Sequence, residues 1–127
     1  MIEHRTANVF LDSDGNVWFK YKNGADITIE DSYDYLKIIN EIADGKKRFF
    51  ILDTRGVLVQ TSPEHREFMG RNPEVLLWRI ADAILVDVLP NRILSDFYKK
   101  KYSQNHPIQV FKSEEEAKQW FKTIEIG

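Results

Sequence analysis

Two short apolar runs, each followed by an aspartate, constrain the fold of this 127-residue chain more than any other feature. The first run, 49–52, ends at Asp53, and the second, 83–86, ends at Asp87. Runs this short and this continuous are typical of strands that are buried on both faces of a sheet. Helical patterns of apolar residues separate and follow them, so the sequence predicts an α/β fold around a buried, largely parallel sheet.

The remaining elements are predicted from apolar periodicity and from turn residues. Asp14-Gly15 between two strand-like segments indicates an antiparallel hairpin at the start of the chain. The predicted order is β-β-α-β-α-β-α-β-α, a small mixed, mostly parallel sheet flanked by helices. Predicted strands lie in 4–11, 17–22, 49–53, 81–88 and 107–111, and predicted helices in 32–43, 63–70, 91–101 and 114–121.

Several helix boundaries and one strand position follow from single residues. Either Asp31 or Ser32 is the expected cap of the first helix, and Ser62 precedes Pro63 at the second. Gly70 is expected to end or loosen the second helix. The aromatic strand that carries Trp18 is expected near the edge of the sheet, where it could pack in the core or form a homodimer surface.

Composition narrows the class of protein without identifying a function. The chain has 18 basic and 20 acidic residues, a net charge of −2 and no cysteine. This balance disfavours nucleic-acid binding through bulk charge, and the lack of thiols excludes disulfides and thiolate metal sites. No apolar stretch approaches a membrane span or a signal peptide, which favours a cytoplasmic protein. We expect one domain over 1–127, with the last residues, about 123–127, loosely held.

The preferred functional surface consists of the loops that follow the two buried strands. Ligand and partner sites gather at the carboxyl edge of open parallel sheets, and these two loops are expected to be neighbours there. The alternative for every residue concerned is ordinary turn and capping chemistry. The candidates for binding a partner or ligand are Asp53, Thr54, Arg55, Gly56, Asp87, Asn91 and Arg92.

Three basic residues of the second predicted helix form a further, weaker candidate. His65, Arg66 and Arg71 could bind an anion, although a solvated helix face is the favoured interpretation. The three histidines of the chain do not have a metal-ligand spacing, so no metal site is expected.

The second half of the chain resembles a known bacterial family. The motifs are FILDTRG at 50–56, SPEHR at 62–66, ADAILVD at 81–87, LSDFY at 94–98, PIQVFKS at 107–113 and EAKQWF at 116–121. They are similar to the STAS-like family with the SpoIIAA-type fold, also described as STAS/Sec14-like. The resemblance spans about 48–122. The N-terminal hairpin and the first helix match the family only in the order of their secondary-structure elements.

This resemblance implies a small non-enzymatic domain. Relatives with this fold include anti-sigma-factor antagonists, which bind a partner kinase and are switched by phosphorylation in an Asp-Ser-Ser-Gly-like motif after a central strand. The corresponding stretch here is Asp53-Thr54-Arg55-Gly56, in which Arg55 stands at the usual phosphoacceptor position. Thr54 is therefore a candidate phosphoacceptor. Thr61 and Ser62, at a helix N-terminus, are candidates on physical grounds, with simple helix capping as the alternative.

Two functional hypotheses remain open at this point. The first is a protein-interaction or regulatory module that acts through the loops after Asp53 and Asp87. The alternative is a Sec14-like binder of a small apolar or lipid ligand, which the apolar loop 57–59 favours. No nucleophile elbow and no phosphate-binding glycine loop is present, so we expect neither catalytic residues nor a cofactor.

Overall fold

The computed structural model describes residues 1–124, and the strands and helices below are those of that range. The strands are β1 (Ile2–Glu3), β2 (Ala7–Leu11), β3 (Val17–Tyr21), β4 (Ala25–Ile27), β5 (Arg48–Asp53), β6 (Val59–Thr61), β7 (Arg79–Leu85) and β8 (Ile108–Phe111). The helices are α1 (Ile29–Ala43), α2 (Pro63–Arg71), α3 (Pro73–Leu77), α4 (Leu89–Tyr102) and α5 (Glu114–Phe121). The tail expected to be loose lies outside the described residues from position 125 onward.

The central sheet has six strands in the order β1-β2-β3-β5-β7-β8. β1, β2 and β3 pair antiparallel, whereas β3, β5, β7 and β8 pair parallel in succession. The predicted fold class, a mixed and mostly parallel sheet flanked by helices, is confirmed. The two apolar runs form the neighbouring inner strands β5 and β7, as their continuous hydrophobicity predicts.

The predicted order does not include the short strands β1, β4 and β6. Asn72-Pro73-Glu74 indicates a further turn of helix after the second one, and the structure has it as the separate helix α3. β4 and β6 pair in parallel as a second, two-stranded sheet, with Ile27 opposite Thr61. A strand of three residues carries too little periodicity to be recognised, and its existence depends on a partner 34 positions away in the sequence. The segment 57–59, interpreted as a loop, therefore ends in a strand.

Two predicted helix boundaries are wrong. Thr28 is the N-cap of α1, and Asp31 lies at the third helical position, where Oδ2 accepts from the Thr28 amide at 2.8 Å. Ser32 lies inside the helix. Gly70 does not end α2, because the helix continues to Arg71. Its missing side chain instead leaves room for a ring, since a Cβ there would lie 2.5 Å from Tyr102.

The aromatic strand is also more central than expected. β3 lies between β2 and β5, so Trp18 is not on a sheet edge and is only 6% exposed. Its ring stacks on Phe10, and its cluster contains Ile51 and Phe121. The aromatic edge surface that suggested a homodimer is therefore part of the core.

Helices cover the two faces of the sheet unequally. On one face, side chains of α1 and α2 such as Tyr35 and Met69 pack with Phe19 and Phe50, and Tyr98 of α4 packs with Ile84. On the opposite face α5 packs against the sheet through a cluster that includes Ala117 and Phe121. The first face carries the site described next.

Candidate functional site

The two loops predicted to be neighbours are joined by a direct contact. Both carboxylate oxygens of Asp87, after β7, lie 3.0 Å from the Gly56 nitrogen, after β5. Gly56 has a positive φ of 76°, a conformation that costs glycine little. The predicted juxtaposition of these loops at one edge of the sheet is confirmed.

Asn91 is the residue that fixes this edge to α4. It is 3% exposed, and its Nδ2 donates to the carbonyls of Thr54 at 3.1 Å and Val57 at 2.7 Å. Its Oδ1 accepts from the Val59 amide at 3.3 Å. All these backbone groups belong to the segment 54–59, so Asn91 orders the whole loop after β5.

Asp53 and Arg55 form a separate pair within that loop. Nε and Nη2 of Arg55 lie 2.9 and 3.1 Å from the two carboxylate oxygens of Asp53, a bidentate geometry. Donation to the Asp53 carboxylate raises the pKa of Arg55 above its usual value. Side chains alternate along β5, which places Asp53 on the same face as Ile51, the face that α5 covers. The seven candidates therefore do not converge on one pocket.

Each candidate phosphoacceptor has a structural hydrogen bond. The Thr54 hydroxyl donates to the Leu85 carbonyl at 2.7 Å, and this residue is 7% exposed. The Thr61 hydroxyl accepts from Nη1 of Arg66 at 3.0 Å. Ser62 caps α2 by accepting from the His65 amide at 3.1 Å. Phosphorylation of any of them stays a prediction, and at Thr54 it requires the inward hydrogen bond to open.

The outer face of α4 begins beside these loops and is apolar. Leu89, Ile93 and Phe97 follow one another at four-residue spacing and are 69%, 61% and 52% exposed. Arg92 is next to them and is paired with Asp96 of the same helix at 3.7 Å. We refer to Leu89, Ile93 and Phe97 as the α4 stripe.

A cavity of about 80 Å³ lies beneath this edge, between the sheet and helices α2 and α4. The surface exposed in it is mainly apolar, as in many small-molecule sites, although half of the lining residues carry polar or charged side chains. Two predicted residues, Thr54 and Asn91, belong to its wall, and Arg66 does too. The other lining residues are Tyr21, Leu52, Val59, Thr61, His65, Met69, Arg79, Ile84, Leu94, Ser95 and Tyr98.

Arg79 at the cavity wall belongs to a buried charge network that the sequence did not reveal. Its side chain is 1% exposed and lies 3.2 Å from a carboxylate oxygen of Asp82, while Nη1 donates to the Met69 carbonyl at 2.7 Å. The other oxygen of Asp82 lies 2.8 Å from Nε2 of His106. Burial alone would raise the pKa of Asp82, but the charge of Arg79 and the contact with His106 outweigh it and hold that pKa below its usual value.

A signal for this network was present in the sequence. Asp82 lies between apolar residues of a predicted buried strand, and an acid at such a position has to find a buried partner. The partners could not be identified, because His106 is 24 positions away from Asp82.

His65 is a buried wall residue rather than part of a solvated helix face. It is 5% exposed, and its Nδ1 lies 2.6 Å from Oγ of Ser32 on α1. Burial lowers the pKa of His65 to about 4, so the ring is neutral at pH 7. Arg71, the third member of the predicted basic group, points instead to Glu67 at 3.0 Å and does not line the cavity.

One cluster of potential metal ligands occurs elsewhere among the described residues. Ligand atoms of His4, Asp31 and Asp34 all lie within 4.8 Å of one another. Nη2 of Arg5 donates to both oxygens of Asp31 at 2.7 Å, so the carboxylate is already paired with a cation. The cluster is therefore explained as a salt-bridge network that holds the N-terminus to α1.

The fold is that of a small α/β domain with a mixed, mostly parallel sheet, and the comparisons with known proteins assign its family. Residues 10–125 match the family described as Domain of unknown function (DUF7793), so the chain belongs to that family. No curated protein matches the chain. No helix within residues 1–124 has both the length and the apolar character needed to cross a bilayer.

A solved structure gives the fold assignment. The chain is similar to the crystal structure of an uncharacterized protein from the DUF3478 family with a SpoIIAA-like fold, from Shewanella loihica PV-4. The TM-score is 0.60 at 12% identity, with 94% of this chain and 98% of that chain covered. The resemblance to the SpoIIAA-type fold predicted from sequence is confirmed.

Proposed function

We propose that this protein is a non-catalytic binding module that recognises a partner protein at the carboxyl ends of β5 and β7. The observation that carries this proposal is the α4 stripe, which leaves three large apolar side chains more than half exposed. Exposed apolar clusters on soluble proteins mark interaction sites.

The surroundings of the stripe have the composition of an interface. Leu58 is also exposed (54%) and belongs to the loop that Asn91 holds against α4, which adds an apolar side chain to this edge of the sheet. Asp87 and Arg92 supply charged groups at its margin. An apolar centre with a polar rim is the usual anatomy of a protein interface.

A crosslinking experiment in the host organism tests this function. A photo-reactive amino acid replaces Ile93, and the control carries it at Tyr33, which is 52% exposed on α1. We expect a covalent adduct with one defined second protein from position 93 and not from position 33. Adding Leu89→Glu should abolish the adduct, whereas Leu77→Glu, at a position on α3 that is 53% exposed, should preserve it.

Two results would contradict the proposal. An adduct of twice the protein's own mass would assign the α4 stripe to a homodimer. Adducts that are equally abundant from positions 93 and 33 would show that the stripe has no defined partner. With the partner purified, Leu89→Glu should weaken binding at least tenfold, about 1.4 kcal/mol.

A second candidate function is the binding of a small, mostly apolar ligand in the cavity. Its volume of about 80 Å³ supports a small molecule rather than a whole lipid. For comparison, an engineered cavity of about 150 Å³ accommodates benzene. In NMR titration with n-butanol, the amide signals of Ser95 and Met69 should shift, whereas those of α5 should not. Shifts spread evenly over the surface would contradict this function.

A further inference from the structure

We infer that the cavity accepts a small monocarboxylic acid, with its carboxylate bound by Arg66 and its apolar body directed inward between the sheet and α4. This inference rests on the second function proposed above, ligand binding in the cavity, and adds the chemical class of the ligand.

The charge of the cavity wall is the first argument. Two arginines line it, Arg66 and Arg79, and no aspartate or glutamate lines it within residues 1–124. Arg79 is already neutralised, because it lies 3.2 Å from Asp82, and one of its nitrogens donates to the Met69 carbonyl. The uncompensated positive charge of the wall is therefore that of Arg66.

The contacts of Arg66 leave most of its donors available. In the described part of the chain, Arg66 donates through Nη1 alone, to the carbonyl and hydroxyl oxygens of Thr61. Its guanidinium carbon lies 5.8 Å from the centroid of the Phe97 ring, so the group is held in place by a cation–π contact. A planar guanidinium with free N–H groups is suited to bidentate binding of a carboxylate.

The position of Arg66 also limits the cost of binding a charge. Arg66 is partly exposed, whereas Arg79 is buried. A carboxylate at Arg66 stays in contact with water and avoids most of the penalty of burying an ion. The part of the ligand beyond it meets Leu52, Met69 and Ile84, which provide an apolar environment.

The size of the cavity restricts the acid to a short chain. Its volume is about 80 Å³, and a single water needs roughly 10–15 Å³ in the same measure. A benzene-sized cavity of about 150 Å³ corresponds to about 25 Å³ for each non-hydrogen atom, so this space takes on the order of three non-hydrogen atoms beyond a carboxylate at Arg66. Butyrate matches this size, and butyramide has the same shape without the charge.

The test measures binding of sodium butyrate and of butyramide by NMR titration at pH 7 and constant ionic strength. We expect butyrate to bind at least about tenfold more tightly than butyramide. Arg66→Gln should remove this preference by lowering the affinity for butyrate to about that for butyramide. Arg71→Gln is the matched control on the same helix, because Arg71 is exposed and pairs with Glu67, and it should retain the preference.

A cavity-filling variant tests ligand binding in the cavity separately from the preference for a carboxylate. Ser95→Leu places extra volume in the wall and should weaken both ligands, which assigns binding to the cavity. Equal affinities of butyrate and butyramide, or a preference that survives Arg66→Gln, would overturn the acid assignment and leave ligand binding intact. Failure of both ligands and of n-butanol to bind would overturn the ligand function itself.

Discussion

The carboxylate of Asp87 accepts from the backbone amide of Gly56, with both oxygens 3.0 Å from the nitrogen. This contact joins the loop after β7 to the loop after β5, 31 positions away in the chain. Both predicted loops therefore lie at the same edge of the sheet. The cavity lies beneath this edge, and the α4 stripe begins beside it.

Asn91 is predicted to be the main stabiliser of this edge. Asn91→Ala removes three hydrogen bonds to backbone groups between residues 54 and 59 and leaves those groups unsatisfied near the core. We expect a loss of about 2–4 kcal/mol in the free energy of unfolding, measured with urea. Arg92→Ala is the neighbouring control and should change that free energy by less than about 0.5 kcal/mol, because its ion pair is exposed.

Disruption of the buried charge network is predicted to destabilise the fold more than any surface change. Arg79→Met leaves Asp82 without its guanidinium partner at 0% exposure and should cost about 3–5 kcal/mol in chemical denaturation. The double change Arg79→Met with Asp82→Leu should recover part of this loss, because it removes the uncompensated charge. A double variant less stable than Arg79→Met would contradict the electrostatic explanation.

Gly70 is predicted to be essential for packing although alanine is the better helix former. A Cβ at this position would lie 2.5 Å from the Tyr102 ring, so Gly70→Ala should lower the unfolding free energy by about 1–3 kcal/mol. In the background of Tyr102→Leu, the same substitution should cost less, because the ring is gone. Equal costs in both backgrounds, compared by thermal denaturation, would show that Tyr102 is not the cause.

His65 is predicted to make stability depend on pH between about 6.5 and 4. Its pKa falls from 6.5 to about 4 on folding because of burial, so in this range the unfolded chain binds more protons than the folded one. Stability therefore decreases as the pH falls, by roughly 3 kcal/mol over the full interval. Asp31, whose folded pKa is also lowered, loses its contribution mainly at lower pH.

The measurement compares urea unfolding of the wild type and of His65→Gln at pH 7 and pH 4.5. The variant should be less stable at pH 7, because the contact with Ser32 is changed, but it should lose less stability on acidification. An identical pH dependence in both proteins would show that His65 is not the titrating group.

The sequence by itself determined the main elements and their order. Continuous apolar runs define β5 and β7 because strands buried on both faces need no polar alternation. Apolar residues that recur at three- and four-residue spacing define α1, α2, α4 and α5, because this spacing places them on one face of a helix. The proximity of the loops after Asp53 and Asp87 to each other followed from the parallel arrangement alone, since neighbouring parallel strands end at the same edge of the sheet.

Only the tertiary structure decided what these residues face. The alternation of side chains along β5 directs Asp53 toward the α5 side, while Thr54 and Asn91 line the cavity on the other side. Arg79, Asp82 and His106 meet across 27 positions of sequence, and Arg66 becomes a cavity residue only because α4 packs beside α2. Local periodicity carries no information about such contacts, because they depend on how distant elements pack.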